Sequence, residues 1–176
     1  MPLILTDQQI HKLIKKKLNL TEMSDVPDLT MWRAMAEEVD SQNTSVDIAI
    51  VGKYSGQQDS YLSIIKSLIH SGIHLGVRVN IKWVEASSLE NNTKDSDLES
   101  YTGSWETIKS VAGIIVPGGF GIRGVEGKIA AAEYARKSNV PFLGICLGMQ
   151  VLSLSLFLFF KFFPQTINLF LIVFFF

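Results

Sequence analysis

Apolar positions along this chain switch between a helical and a strand period. Ile10, Leu13, Ile14 and Leu18 recur at three- and four-residue spacing and share one face of a short helix, which Thr6 or Asp7 can cap. Trp32, Met35, Ala36 and Val39 repeat that pattern over about 29–39, and the polar stretch from Asn19 to Asp28 reads as a linker. The period then changes. Val46 to Val51 is a near-continuous apolar strand, Asp59 to about Leu75 a helix, with Asp59 either its cap or part of a functional contact in the Gly52-Lys53-Tyr54 and Asp59-x-Tyr61 region, and 77–84 a strand in which Val77, Val79, Ile81 and Trp83 alternate with polar residues. The polar run from Ala86 to Gly103 is expected to be a surface loop. A helix near 105–110, a strand ending at Val116, a helix over 125–138 and a strand ending at Ile145 complete the order. Strands alternating with helices predict an α/β fold, a parallel sheet with helices on both faces.

In such sheets ligands bind outside the carboxyl ends of the strands, and two glycine-rich turns fall there. Ile114-Ile115-Val116 runs into Pro117-Gly118-Gly119-Phe120-Gly121, and Pro141-Phe142-Leu143 runs into Gly144-Ile145-Cys146-Leu147-Gly148. The second turn carries the only cysteine. A nucleophile on a strand-to-helix elbow takes a strained backbone conformation and needs neighbours without side chains, which Gly144 and Gly148 provide. The start of the following helix favours a thiolate. Acyl transfer also needs two N–H donors for the oxyanion, and Leu147 with Gly118 or Gly119 can supply them. Taken singly, each motif also fits a buried structural cysteine or a plain strand-to-helix turn. Together they point to one site.

These residues resemble a known family. Gly52-Lys53-Tyr54, Asp59-Ser60-Tyr61, the run from Val116 to Gly127 and the run from Pro141 to Gln150 follow the order and spacing of the class I glutamine amidotransferase domain of the CTP synthase family. The resemblance covers residues 1–150. It implies that Cys146 is the nucleophile that attacks the side-chain amide of glutamine, that Gly119 and Leu147 hold the oxyanion, and that Gly118, Gly119, Leu147, Gly148, Met149 and Gln150 line the glutamine site. It further implies that the ammonia aminates UTP, activated by ATP with Mg²⁺, in a separate synthetase domain, that GTP activates the glutaminase, and that the family's full-length protein is a homo-oligomer. The segment Ile122-Arg123-Gly124 resembles one at the interface of those two domains. No cofactor is expected on this stretch itself.

The departures shape the expectation. The family's histidine and glutamate partners lie downstream of the nucleophile, whereas His11, His70 and His74 all precede Cys146. His70 and His74 are spaced i, i+4 on a helix without a third ligand, so they are read as surface residues and no metal is expected. Met1 to Leu5 looks like the closing strand or loop of the synthetase domain. The expected organisation is therefore the end of that domain and a helical linker over 1–44, the amidotransferase part over 45–150, and an atypical tail over 151–176. On that view the chain is an inactive piece of a CTP-forming ligase, at most binding glutamine or pairing with other subunits.

Composition excludes several alternatives. A formal net charge of −1 argues against nucleic acid or an anionic membrane surface as partner. The lone cysteine and the absence of a signal pattern suit the cytoplasm, and the sequons at Asn19, Asn43 and Asn91 read as chance. Lys12, Lys15, Lys16 and Lys17 form a polar helix face, and Trp32, Trp83 and Trp105 are expected to be packing residues. The tail holds most of the 11 phenylalanines. Lys161 and Pro164 interrupt it below the roughly 20 apolar residues of a membrane span. Phe, Leu, Ile and Val are what T-rich codons encode, so the tail reads as translated intron or a frame lost at a splice junction, rather than as a membrane anchor or a docking segment.

Overall fold

The computed structural model describes residues 2–20, 28–53 and 58–162, with side chains described for 3–20, 28–53 and 59–155. Its elements are α1 (Pro2–Asp7), α2 (Ile10–Leu18), α3 (Thr30–Ser41), β1 (Thr44–Gly52), α4 (Leu62–Leu75), β2 (Val77–Glu85), α5 (Asn91–Ser96), α6 (Leu98–Ser110), β3 (Gly113–Val116), α7 (Val125–Ser138), β4 (Phe142–Gly144) and α8 (Leu147–Phe162). Short 3-10 turns at Gln58–Tyr61 and Ala86–Leu89 precede α4 and α5. The four strands are all parallel, in the order β2-β1-β3-β4.

Register explains how the sheet is buried on both sides. Ile50 lies beside Trp83 and Ile115, while Ala49 lies beside Ile114 and Val51 beside Val84. Strand side chains alternate between faces, so these two sets point in opposite directions. Ala49, Val51, Val84, Ile114 and Val116 form the larger core with Ile108 of α6, Ala131 and Ala135 of α7 and Val151 of α8. On the other face α4 approaches so closely that a Cβ at Gly72 would stand 3.0 Å from Val79 Cγ2 and 2.6 Å from the Val77 carbonyl oxygen. Burial on both faces is why β1 and β3 are near-continuous apolar runs. The expected α/β architecture is the one observed.

Four local readings change. The stretch 86–103 is not a surface loop: it forms the 3-10 turn, α5 and the first half of α6, with Ala86 and Leu89 buried in the core. Residues 2–7 are helical, and neither Thr6 nor Asp7 caps α2, which starts after Gln9 in a left-handed conformation. Asp59 does not cap α4 either; it is exposed in the 3-10 turn, and Tyr61 occupies the cap position. Trp32 is half exposed on α3, whereas Trp83 packs against Tyr61 with ring centroids 5.9 Å apart and Trp105 packs between Tyr101 and Tyr134. Most of the linker expected at 19–28, and residues 163–176 of the tail, lie outside the described residues. The boundary drawn after Gln150 falls inside α8, whose Val151 and Leu152 are buried. Among the described residues no helix is long and apolar enough to cross a membrane.

Candidate active site

Three strand ends converge beyond the carboxyl edge of the sheet: Gly52-Lys53 after β1, Pro117 to Gly121 after β3, and Ile145-Cys146 after β4. Cys146 is exposed and has φ 53°, a left-handed conformation that costs a non-glycine residue energy. The elbow is held from both sides. The Ile145 amide donates to the Val116 carbonyl at 2.9 Å, the Gly148 amide to the Ile145 carbonyl at 3.0 Å, and the Gln150 amide to the Cys146 carbonyl at 3.1 Å.

The flanking glycines are fixed by backbone contact. A Cβ at Gly148 would lie 1.9 Å from the Val116 carbonyl oxygen, and one at Gly144 would lie 2.5 Å from Gly148 itself. No side chain fits either place. Leu147 opens α8, so its amide has no carbonyl of the same helix one turn earlier to bond. Met149 is half-buried and Gln150 exposed on the first turn.

The glycine turn after β3 lies against the cysteine. A Cβ at Gly118 would be 3.4 Å from Cys146 Cβ and 3.9 Å from its Sγ, so Gly118 leaves the thiol uncovered on that side. Gly119 faces two lysines: a Cβ there would lie 3.4 Å from Lys53 Cδ and 3.7 Å from Lys128 Nζ. Thus Cys146, Gly118, Leu147 and Gly148 lie together, with Gly119 next along the turn and Met149 and Gln150 on the adjoining helical turn.

Of the two lysines, Lys53 lies in the Gly52-Lys53-Tyr54 segment quoted for the resemblance, whereas Lys128 is the residue that the sequence did not single out. Lys128 is wholly buried in α7 and donates to the Pro117 carbonyl at 3.0 Å. Lys53, also buried, donates to the Phe120 carbonyl at 2.8 Å and to the Gly121 carbonyl. Around them Tyr61 accepts from the Lys53 amide at 3.0 Å, and the Arg123 guanidinium donates to the Lys53 carbonyl at 2.5 Å and faces Glu85 at 3.8 Å. Burial, and then the charge of Lys53, push the Lys128 ammonium down to about 8, against an upward pull from Glu85 and from Cys146. A sequence signal for Lys128 existed. Positions 128, 131, 132 and 135 follow the helical period, and Ala131, Ala132 and Ala135 are the buried face of α7.

The histidines stand elsewhere. His11 is on α2, and His70 and His74 are exposed on α4. Among the described residues no group of three histidine, cysteine or acidic side chains is placed to hold a metal ion.

Comparison with known proteins bears on the family and the fold. The family model described as glutamine amidotransferase class-I matches residues 57–157, and the chain belongs to that family. Its relatives include CTP synthases. CTP synthase 2 of Saccharomyces cerevisiae is 43% identical over 162 residues, 88% of this chain and 28% of that protein. The CTP synthase of Schizosaccharomyces pombe is 52% identical over 120 residues, 68% of this chain and 20% of that protein. The solved Trypanosoma brucei CTPS glutaminase domain with bound acivicin is similar in structure, with a TM-score of 0.55 and 41% identity over 63% of this chain and 40% of that one. The chain therefore spans about a quarter of the length of the curated relatives it matches. The family match continues along α8 to residue 157, seven residues beyond the end of the sequence resemblance at Gln150.

Proposed function

We propose that this chain carries the glutamine-cleaving site of a CTP synthase, with Cys146 as nucleophile. The observation that carries the reading is the contact of Gly118 with a left-handed, exposed Cys146 at the carboxyl edge of a parallel sheet. The thiolate attacks the side-chain amide carbon of glutamine, and the electron pair of the carbonyl moves onto oxygen. The amides of Leu147 and Gly119 are the donors for that oxyanion. Collapse of the tetrahedral adduct breaks the C–N bond, the nitrogen takes up a proton and leaves as ammonia, and water then cleaves the thioester to give glutamate. Gly118, Gly148, Met149 and Gln150 line the bound glutamine.

In the full-length family protein the ammonia aminates UTP, with ATP and Mg²⁺ acting in the synthetase domain and GTP as activator, in a cytoplasmic homo-oligomer. Residues 1–44 are the approach to the amidotransferase part that starts at 45. No step at the cysteine passes through the nucleotides or the metal, and nucleic acid is not a partner.

One observation favours a narrower reading of the 176-residue polypeptide by itself. Every histidine precedes Cys146 and sits on α2 or α4, so these residues bring no imidazole after the nucleophile to protonate the leaving nitrogen. These 176 residues by themselves are expected to bind at the elbow without turning glutamine over. The test is alkylation by a chloromethyl ketone isostere of glutamine, which needs a thiolate and a binding site but no proton shuttle, followed by peptide mass spectrometry. An adduct on Cys146, slowed by added glutamine and accompanied by no ammonia release, is the expected result. Labelling that glutamine does not slow would overturn the glutamine site.

A further inference from the structure

Lys128 is the most deeply buried charged side chain among the described residues, and the reaction above gives it no task. Burying an ammonium is costly unless it is paired, and leucine or methionine would fill a similar volume without that cost. Its position offers a reason. The side chain leaves the buried face of α7 and ends at the Pro117 carbonyl, the first peptide of the glycine turn that lies against Cys146. In a trans peptide the carbonyl and the next amide point in opposite directions. Holding the Pro117 carbonyl on the ammonium therefore aims the Gly118 N–H away from Lys128.

Lys53 grips the far end of the same turn through the Phe120 and Gly121 carbonyls. The turn is thus pinned at both ends by buried cations, with Gly119 between them. The charged groups facing Lys128 come from three strand ends: Lys53 after β1, Glu85 at the end of β2, and Cys146 after β4. Glu85 is shared with Arg123, and Lys53 repels. Cys146 is the remaining group that favours the charged lysine.

We propose that Lys128 is a positioning residue of the cysteine site: its ammonium holds the Pro117 carbonyl, and with it the Gly118 amide beside Cys146, and places a buried positive charge opposite the thiolate. This rests on reading Cys146 as the reacting group, but it concerns the thiol itself rather than glutamine. The two readings therefore fail separately.

Cys146 is the only cysteine, so iodoacetamide alkylation of the full 176-residue chain reports on this thiol alone. At pH 7, where Lys128 is charged, Lys128→Met is expected to react roughly tenfold more slowly than the parent chain. At pH 10, where Lys128 of the parent chain is mostly neutral, the two rates converge. Equal rates at pH 7, or the same offset at both pH values, would overturn the proposal, the second by marking a structural effect alone. A second measurement keeps the test open should Lys128→Met not fold. Nζ titration of ¹⁵N-lysine-labelled chain is compared with that of Cys146→Ser, which removes the anion and leaves Lys128 in place. The Lys128 midpoint is expected to fall in that variant, and an unchanged or higher midpoint would overturn the pairing.

Discussion

The carboxyl edge of the sheet and the N-terminal helices are built on opposite terms. At the sheet edge, glycines sit where a single added carbon would strike backbone, and two buried lysines hold peptide carbonyls. In α1–α3 the apolar residues Ile4, Leu13, Ile14, Leu18, Met31 and Trp32 are about half exposed or more, and no residue of α2 or α3 is buried. Both regions show the hydrophobic period expected of their elements. Periodicity thus reports which face of a helix is apolar, whereas packing decides whether that face is covered.

Substitutions can break that contrast or sharpen it. The largest effect is expected from Gly127→Ala or Gly148→Ala, whose added carbons would lie 1.7 Å from the Ala86 carbonyl oxygen and 1.9 Å from that of Val116. Each should cost more than about 4 kcal/mol or abolish cooperative unfolding in a urea titration. A loss below about 1 kcal/mol would show that the edge is not tightly built. Leu89→Ala should cost about 2–5 kcal/mol, because Leu89 is part of the core despite its polar surroundings in sequence.

Lys128 gives the contrast a pH dependence. Its folded-state value of about 8 lies below the 10.5 of an exposed lysine. Between those values the unfolded chain binds more protons than the folded one, so this residue makes stability rise with pH across that window. Below pH 8 both states are protonated and the folded state bears the full cost of the buried charge. Denaturant midpoints of the parent chain minus those of Lys128→Met should climb from pH 8 to pH 10, and a flat difference would contradict the burial. Lys53→Met should cost about 1–3 kcal/mol by freeing two carbonyls of the turn. Leu13→Lys on α2, at the other extreme, should shift stability by less than about 0.5 kcal/mol. A larger loss there would mean that α2 is packed after all.

The parts legible in sequence were those where period and turn chemistry agree. β1, β2, α4 and α7 follow from apolar spacing, and the elbow follows from glycines on both sides of Cys146. Three features hid for separate physical reasons. Residues 86–103 read as a loop because only Ala86 and Leu89, three apart, carry the buried contact while the rest of the surface is polar. α1 hid behind its apolar composition, although Pro2 occupies the first helical position, where a missing N–H costs nothing. Lys128 was overlooked because a charged residue is set aside when core positions are counted; its helical register with Ala131 and Ala135 was the available signal. Roles at the site were legible only by resemblance, since spacing cannot say which amide will face an oxyanion.

The strand that delivers Cys146 is the shortest in the sheet. β4 pairs only over Phe142–Gly144, and among the described residues only with β3, whereas β1 pairs with β2 along its whole length and with β3 on its other side. Amide hydrogen exchange should follow that gradient, with protection highest in the middle of β1 and lowest in β4 and the elbow. A left-handed residue at the rim of the sheet can thus relax its backbone by local opening, while the strands that carry the lysine-pinned turn stay closed. The same polypeptide would then loosen the backbone around its exposed reactive residue many times for each time it unfolds.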